Sequence, residues 1–130
     1  MTVQRVAQIF GWVFVLVAVW GFFVTGGSME AGMDAPAILG LFPVNVLHNL
    51  AHLILGLWGI VASRNFGSAK TYAQIAGILY LLLAVLGFVD PTGFGLIPLG
   101  SGDIALHVVL GLILAGVGFT AKRGREPATA

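Results

Sequence analysis

The sequence predicts an all-α integral membrane protein: a four-transmembrane-helix antiparallel bundle built from two tandem two-helix repeats. Three observations carry that reading. The 130 residues are 58% hydrophobic and 8% charged, with a mean hydropathy of +1.02. Four separate apolar segments have the length of a bilayer crossing. The second half of the chain echoes the first. A water-soluble domain carries roughly a quarter charged residues, so most of this surface has lipid as its solvent.

The four segments cover residues 6–24, 44–63, 72–89 and 104–120. Each approaches the about 20 apolar residues that a bilayer core requires, within the range of about 17–25. Backbone groups in lipid must pair within their own segment, so these segments are helices. None alternates apolar with polar residues, as a strand of a membrane barrel does. The first segment follows Arg5 as a signal peptide would, but the run is long for one and "VTGGSMEAG" is a poor cleavage site, so it is expected to stay. Cysteine is absent, which removes disulfides, thiolate metal sites and thiol nucleophiles.

Charge sets the orientation. Arg5 precedes the first segment, Arg64 and Lys70 lie between the second and third, and Lys122, Arg123 and Arg125 follow the fourth. Glu30, Asp34, Asp90 and Asp103 fall on the opposite side, and of the acids only Glu126 does not. The positive-inside rule then puts both termini in the cytoplasm and residues 25–42 and 90–102 outside the inner membrane. Trp20 and Tyr72 are placed as interfacial aromatics at the outer and inner surfaces.

The repeat is visible residue by residue. Ala7, Gln8, Ile9, Gly11, Leu16, Ala18, Val19, Gly21 and Phe22 recur 66 positions later. Gly40, Leu41, Pro43, His52, Leu55, Gly56 and Leu57 recur 55 positions later. The difference is a longer outer loop in the first half, residues 25–39. Repeat 1 therefore covers about 5–64 and repeat 2 about 71–121 of a single membrane domain, followed by a basic cytoplasmic tail, 122–130. Two copies with one orientation are related by a pseudo-two-fold axis along the membrane normal.

"LHNLAHLILG", residues 47–56, sets two histidines and an asparagine in a very apolar stretch. On a helix, Asn45, His48, Asn49, His52 and Gly56 share about 100° of arc, and Asp103, His107 and Gly111 share about 80°. A polar stripe faces the protein interior, because a charge facing lipid costs about 2.5 kcal/mol or more. The axis then gathers His48, His52, Asp103 and His107 in the outer half of the membrane, in two layers one helical turn apart. Gly56 and Gly111, one turn deeper, admit close approach. Gln8, Gly11, Val15 and Ala18 recur as Gln74, Gly77, Leu81 and Ala84 and read as a helix-packing seam.

The plain reading of these polar groups is interhelical hydrogen bonding, at about 0.6 kcal/mol each on average. The same four residues also suffice as ligands for haem or a divalent metal ion, or as steps in an ion or proton path. Glu30 and Asp34 read as solvated loop charges, and Met29 and Met33 as loop packing. The chain shows no phosphate-binding glycine loop and no nucleophile elbow, and its basic residues lack the clustering that nucleic acid demands.

On "GLFPVNVLHNLAHLILGLWGI", the "GLIPL" that echoes it, and the pair Asp103 and His107, the chain resembles a family of small four-span bacterial membrane proteins known only as a domain of unknown function. The likeness covers about residues 4–121. The chain departs from that pattern at Gly100, where the family carries Asn, and near Ile104 and Ala105, where it often carries Asn-Trp. The resemblance implies fold and location and no activity. The functional expectation is a non-enzymatic membrane protein, a structural or accessory subunit of a larger membrane complex. The alternatives are a haem- or metal-binding protein and a small ion or proton conductor. Its expected partners are the lipid bilayer, other membrane proteins or further copies of itself.

One prediction follows from the charge asymmetry. A single Ser68→Cys in this cysteine-free chain reacts with a membrane-impermeant maleimide only after the membrane is opened. Labelling of intact cells from outside reverses the orientation.

Overall fold

The computed structural model describes residues 2–124; the expectations for Arg125, Glu126 and the remainder of the tail lie outside the described residues. The chain runs through α1 (Val3–Thr25), β1 (Ala37–Ile38), β2 (Phe42–Pro43), α2 (Val46–Ala62), α3 (Phe66–Val89), α4 (Gly93–Leu96) and α5 (Gly102–Thr120). It is an all-α protein apart from the two-residue strands, which pair antiparallel with Ile38 opposite Phe42. α1, α3 and α5 are each long and apolar enough to cross a membrane, and α2 is a shorter apolar helix of 17 residues.

Caps explain where the helices begin. Thr2 Oγ1 accepts from the Arg5 N–H at 3.2 Å, and Asn65 Oδ1 from the Ser68 N–H at 2.9 Å. Through that second cap α3 starts at Phe66, six residues before the apolar segment does. Hydropathy marks where a helix meets lipid; the cap marks where its hydrogen bonding starts. Asn45 shows the converse. It is extended, with φ −142°, and caps α2 by accepting from the His48 N–H at 2.9 Å. It therefore stands before the helix rather than on the helical stripe expected of it.

Contacts run in opposite chain directions within two helix pairs. On α1 and α2, the positions of Ala7, Gly11 and Gly21 meet Gly59, Gly56 and Asn49 respectively. On α3 and α5, those of Gln74, Gly77 and Leu81 meet Gly118, Ala115 and Gly111. Each pair is thus an antiparallel hairpin, and α1 packs on α3 to join the two. Buried Phe14, Leu55, Tyr72, Tyr80 and Leu114 form the core between them.

The loops interlock at one end. The Val44 N–H donates to Pro36 O and the Leu99 N–H to Pro91 O, both at 2.8 Å and at positions 55 apart in the chain. Gly102 N–H reaches across to Leu41 O at 3.2 Å. Asp90, at the end of α3, accepts from the Thr92 hydroxyl at 2.7 Å and from the N–H groups of Thr92 and Phe94 at 3.0 Å. Those bonds, the hydroxyl's first, hold its carboxyl below the usual carboxylate range. They brace the turn of α4, where Phe94 and Gly95 are left-handed, with φ of 60° and 78°.

The predicted interior glycines are where the helices touch. A Cβ on Gly11 would stand 2.7 Å from Ile60 N and 2.8 Å from Gly56 O; one on Gly56 would stand 2.7 Å from Gly11 O. A Cβ on Gly111 would meet Leu81 Cγ at 2.7 Å and Gly77 O at 3.0 Å. Small residues let membrane helices approach backbone to backbone. The seam expected through Gln8 is narrower than its sequence pattern, since Gln8 is exposed whereas Gln74 donates to Gly118 O at 3.1 Å.

Gly56→Leu and Gly111→Leu are therefore expected to destabilise by about 1–3 kcal/mol or more through overpacking. Ile54→Phe and Leu112→Phe, at positions 65% and 60% exposed, should change little. Thermal unfolding in detergent separates the two sets, and equal tolerance would show that the glycines do not set the helix spacing.

Candidate functional site

The cap at Asn45 fixes the phase of α2, and the helical period then turns His48, Asn49 and His52 inward. All are buried, as is Asn45. From α5, Asp103 and His107 arrive by the same four-residue spacing, 2% and 1% exposed. The structure brings all four sequence-predicted site residues together. One ring nitrogen each of His48, His52 and His107 lies within 4.8 Å of the others. Asp103 Oδ2 is 3.8 Å from His48 Nδ1, near enough for attraction but too far for a hydrogen bond.

The rings expected one turn apart touch one another and form one contiguous cluster. The ring centroids of His48 and His52 are 4.6 Å apart, and those of His48 and His107 are 6.0 Å apart. His48 and His52 tilt the same way along α2, so the spacing of their rings along the helix stays close to one turn of about 5.4 Å, and they still touch.

Aromatic residues wall the cluster. Phe14 from α1 stacks on His52 at 5.9 Å between centroids and on Tyr80 from α3 at 5.2 Å; Tyr80 lies 5.1 Å from His107. Phe14 and Tyr80 stand 66 positions apart, at matching places in the two halves. The loops close the end: the His48 ring lies against the backbone of Pro43 and Pro98, themselves 55 positions apart. Asn45 Nδ2 donates to Leu96 O at 2.8 Å and binds one hairpin's loop to the other's. Asn49 Nδ2 donates to Thr25 Oγ1 at 2.9 Å and fastens α2 to the end of α1.

Tyr80 was not legible as a site residue. It stands alone in an apolar segment, and its one signal was its match to Phe14 in the other half. Tyr72 corrects an expectation. It is not interfacial but fully buried, donating its hydroxyl to Leu55 O at 3.0 Å. Because α3 begins at Phe66, Tyr72 sits in the second turn, on the face toward α2. Trp20 is 46% exposed near the end of α1. Glu30 turns back on its own loop, accepting from the Gly32 N–H at 2.8 Å, and Asp34 is exposed.

Five buried polar atoms here have no hydrogen-bond partner among the described residues: Nδ1 of His48, His52 and His107, Oδ2 of Asp103 and the Tyr80 hydroxyl. Buried polar atoms are almost always partnered. His48, His52, Tyr80 and His107 also line a cavity of about 30 Å³ with Leu55, Leu83 and Leu99. That space suits an ion or a water, whose share of liquid volume is about 30 Å³. A macrocycle such as haem has no room, since even drug-sized ligands take roughly 300 Å³ or more.

Three helices long and apolar enough to cross a membrane, with a buried cluster of imidazole, carboxylate and phenol, define a class of small helical membrane protein. Within it, the chain belongs to the family described as a domain of unknown function (DUF4383), whose profile matches residues 4–120. No curated protein and no solved structure matches the chain.

Asn45→Ala removes both a cap and the bond to Leu96 O. Loss of a cap alone costs about 0.5–2 kcal/mol. Asn45→Ala is therefore expected to lower stability in detergent more than Asn65→Ala, which removes an exposed cap. The reverse order would show that the loop bond contributes nothing.

Proposed function

We propose that the protein is a four-span integral membrane protein of the inner membrane, two tandem helix hairpins with both termini in the cytoplasm. It performs no chemistry of its own there and serves as a structural or accessory subunit of a larger membrane complex. The observation that carries this reading is the inverted distribution of its side chains. Asn45, His48, Asn49, His52, Asp103 and His107 are buried, while Leu16, Phe23, Ile54, Leu82, Phe88 and Leu112 are exposed. Phe23 and Phe88 reach 86% and 80% exposure. In water such a surface would aggregate; in a bilayer it is solvated.

Charge supports the orientation. Thr2, Arg5, Phe66, Lys122 and Arg123 border one cleft, and Arg5 and Arg64 border its neighbour. The basic residues therefore gather at the end opposite Glu30, Asp34 and Asp90, as the positive-inside rule requires of a cytoplasmic face. α2 is about 25 Å long at 1.5 Å per residue, and the extended Val44 and Asn45 before it carry the chain across the remainder. With so little outside the bilayer, any partner meets mostly lipid-facing helix surface. That favours a role beside other membrane proteins.

Native electrophoresis of gently solubilised membranes is expected to carry the chain within an assembly much larger than one copy in its micelle. Migration as a single copy would refute the accessory role. Release of the chain by alkaline carbonate would refute membrane integration.

A further inference from the structure

An accessory role in the membrane gives the interior cluster of His48, His52, Asp103 and His107 no task. We propose that His48, His52 and His107 bind one divalent transition-metal ion of the zinc type, with Asp103 supplying the balancing carboxylate. Four observations converge on this. The first is ligand number: three imidazoles supply three of the four ligands that zinc prefers and leave one position open, while Asp103 stands beside the His48 ring. The second is proximity. A tetrahedral ion with bonds of about 2.0–2.1 Å holds its nitrogens about 3.3 Å apart. The ring nitrogens lie within 4.8 Å, so each must move inward by less than about 1 Å, into the cavity they themselves line.

The third observation is polar satisfaction. His48, His52, His107 and Tyr80, each with an unpartnered buried polar atom, line one small space, and the unpartnered Oδ2 of Asp103 lies 3.8 Å from His48 Nδ1. A single cation answers several of them together, directly or by fixing the rings that carry them. The fourth is that no other cation claims the site. The described lysines and arginines lie at the far end of the helices, and among the described residues Asp103 pairs with no basic residue except His48. A carboxylate beside a metal-binding imidazole also orients the ring and raises its basicity. Nitrogen ligands select against calcium and magnesium, which take six or more oxygens.

The test uses the full chain, purified in mild detergent and stripped with a chelator. Zinc is titrated in by calorimetry, and cobalt replaces it as a spectroscopic probe. One zinc per chain is expected, with a visible cobalt spectrum of tetrahedral nitrogen and oxygen ligation and a rise in the unfolding temperature as zinc saturates the native state. Asp103→Asn should weaken binding about 10–100-fold, the usual effect of losing a carboxylate that supports a ligand. His52→Leu combined with His107→Leu should abolish it. If that double variant fails to fold, the stripped wild-type chain still decides: no zinc uptake and no thermal shift overturns the proposal. Undiminished binding in a folded double variant overturns it equally, since the metal would then sit elsewhere.

Discussion

Two backbone contacts set the dimensions of this molecule: Gly11 against Gly56, and Gly77 against Gly111. In lipid no hydrophobic force draws apolar helices together, so association relies on close packing and on hydrogen bonds. Glycine supplies the closeness. With α1 drawn onto α2 and α3 onto α5, the next residues inward, Phe14 and Tyr80, stack across the junction of the hairpins. The imidazoles of His52 and His107 come to rest against them.

The polar groups complete what the glycines begin. Among the described residues, each hydrogen bond between the halves ends on a backbone carbonyl: Asn45 on Leu96, Gly102 on Leu41, Tyr72 on Leu55. A carbonyl is available at any register, whereas two side chains must be matched. Bonds of this kind tie the hairpins at both ends of the core and leave the middle to aromatic packing. The histidine cluster is different in kind, because its polar atoms are aimed at one another and at a small space rather than at carbonyls. That difference separates a site from a set of structural bonds.

Burying this cluster is costly in a membrane, where unpartnered polar atoms meet no water. The architecture confines that cost to one place. The aromatic wall of Phe14 and Tyr80, the prolines Pro43 and Pro98 and the loop bond from Asn45 enclose the cluster at the loop end of the helices. The remaining buried side chains are mostly small or apolar. Enclosure also narrows what the cluster can hold to something of the size of an ion or a water.

Much of this was legible before any coordinate. Apolar length located the helices, because the bilayer imposes a span; the spacing of His48 with His52 and of Asp103 with His107 put each pair on one face, because the α-helix has a fixed period. The repeated glycines marked the close contacts. What only the tertiary structure decided depends on rotation and reach. Asn45 left the stripe because capping competes with continuing the helix. Tyr72 proved buried because α3 begins earlier than hydropathy marks. Tyr80 entered the site because the packing of α3 on α5 and α1 turned it toward His107, a rotation that no local spacing encodes. Periodicity along a chain fixes a face, but contact across helices is set by three-dimensional packing.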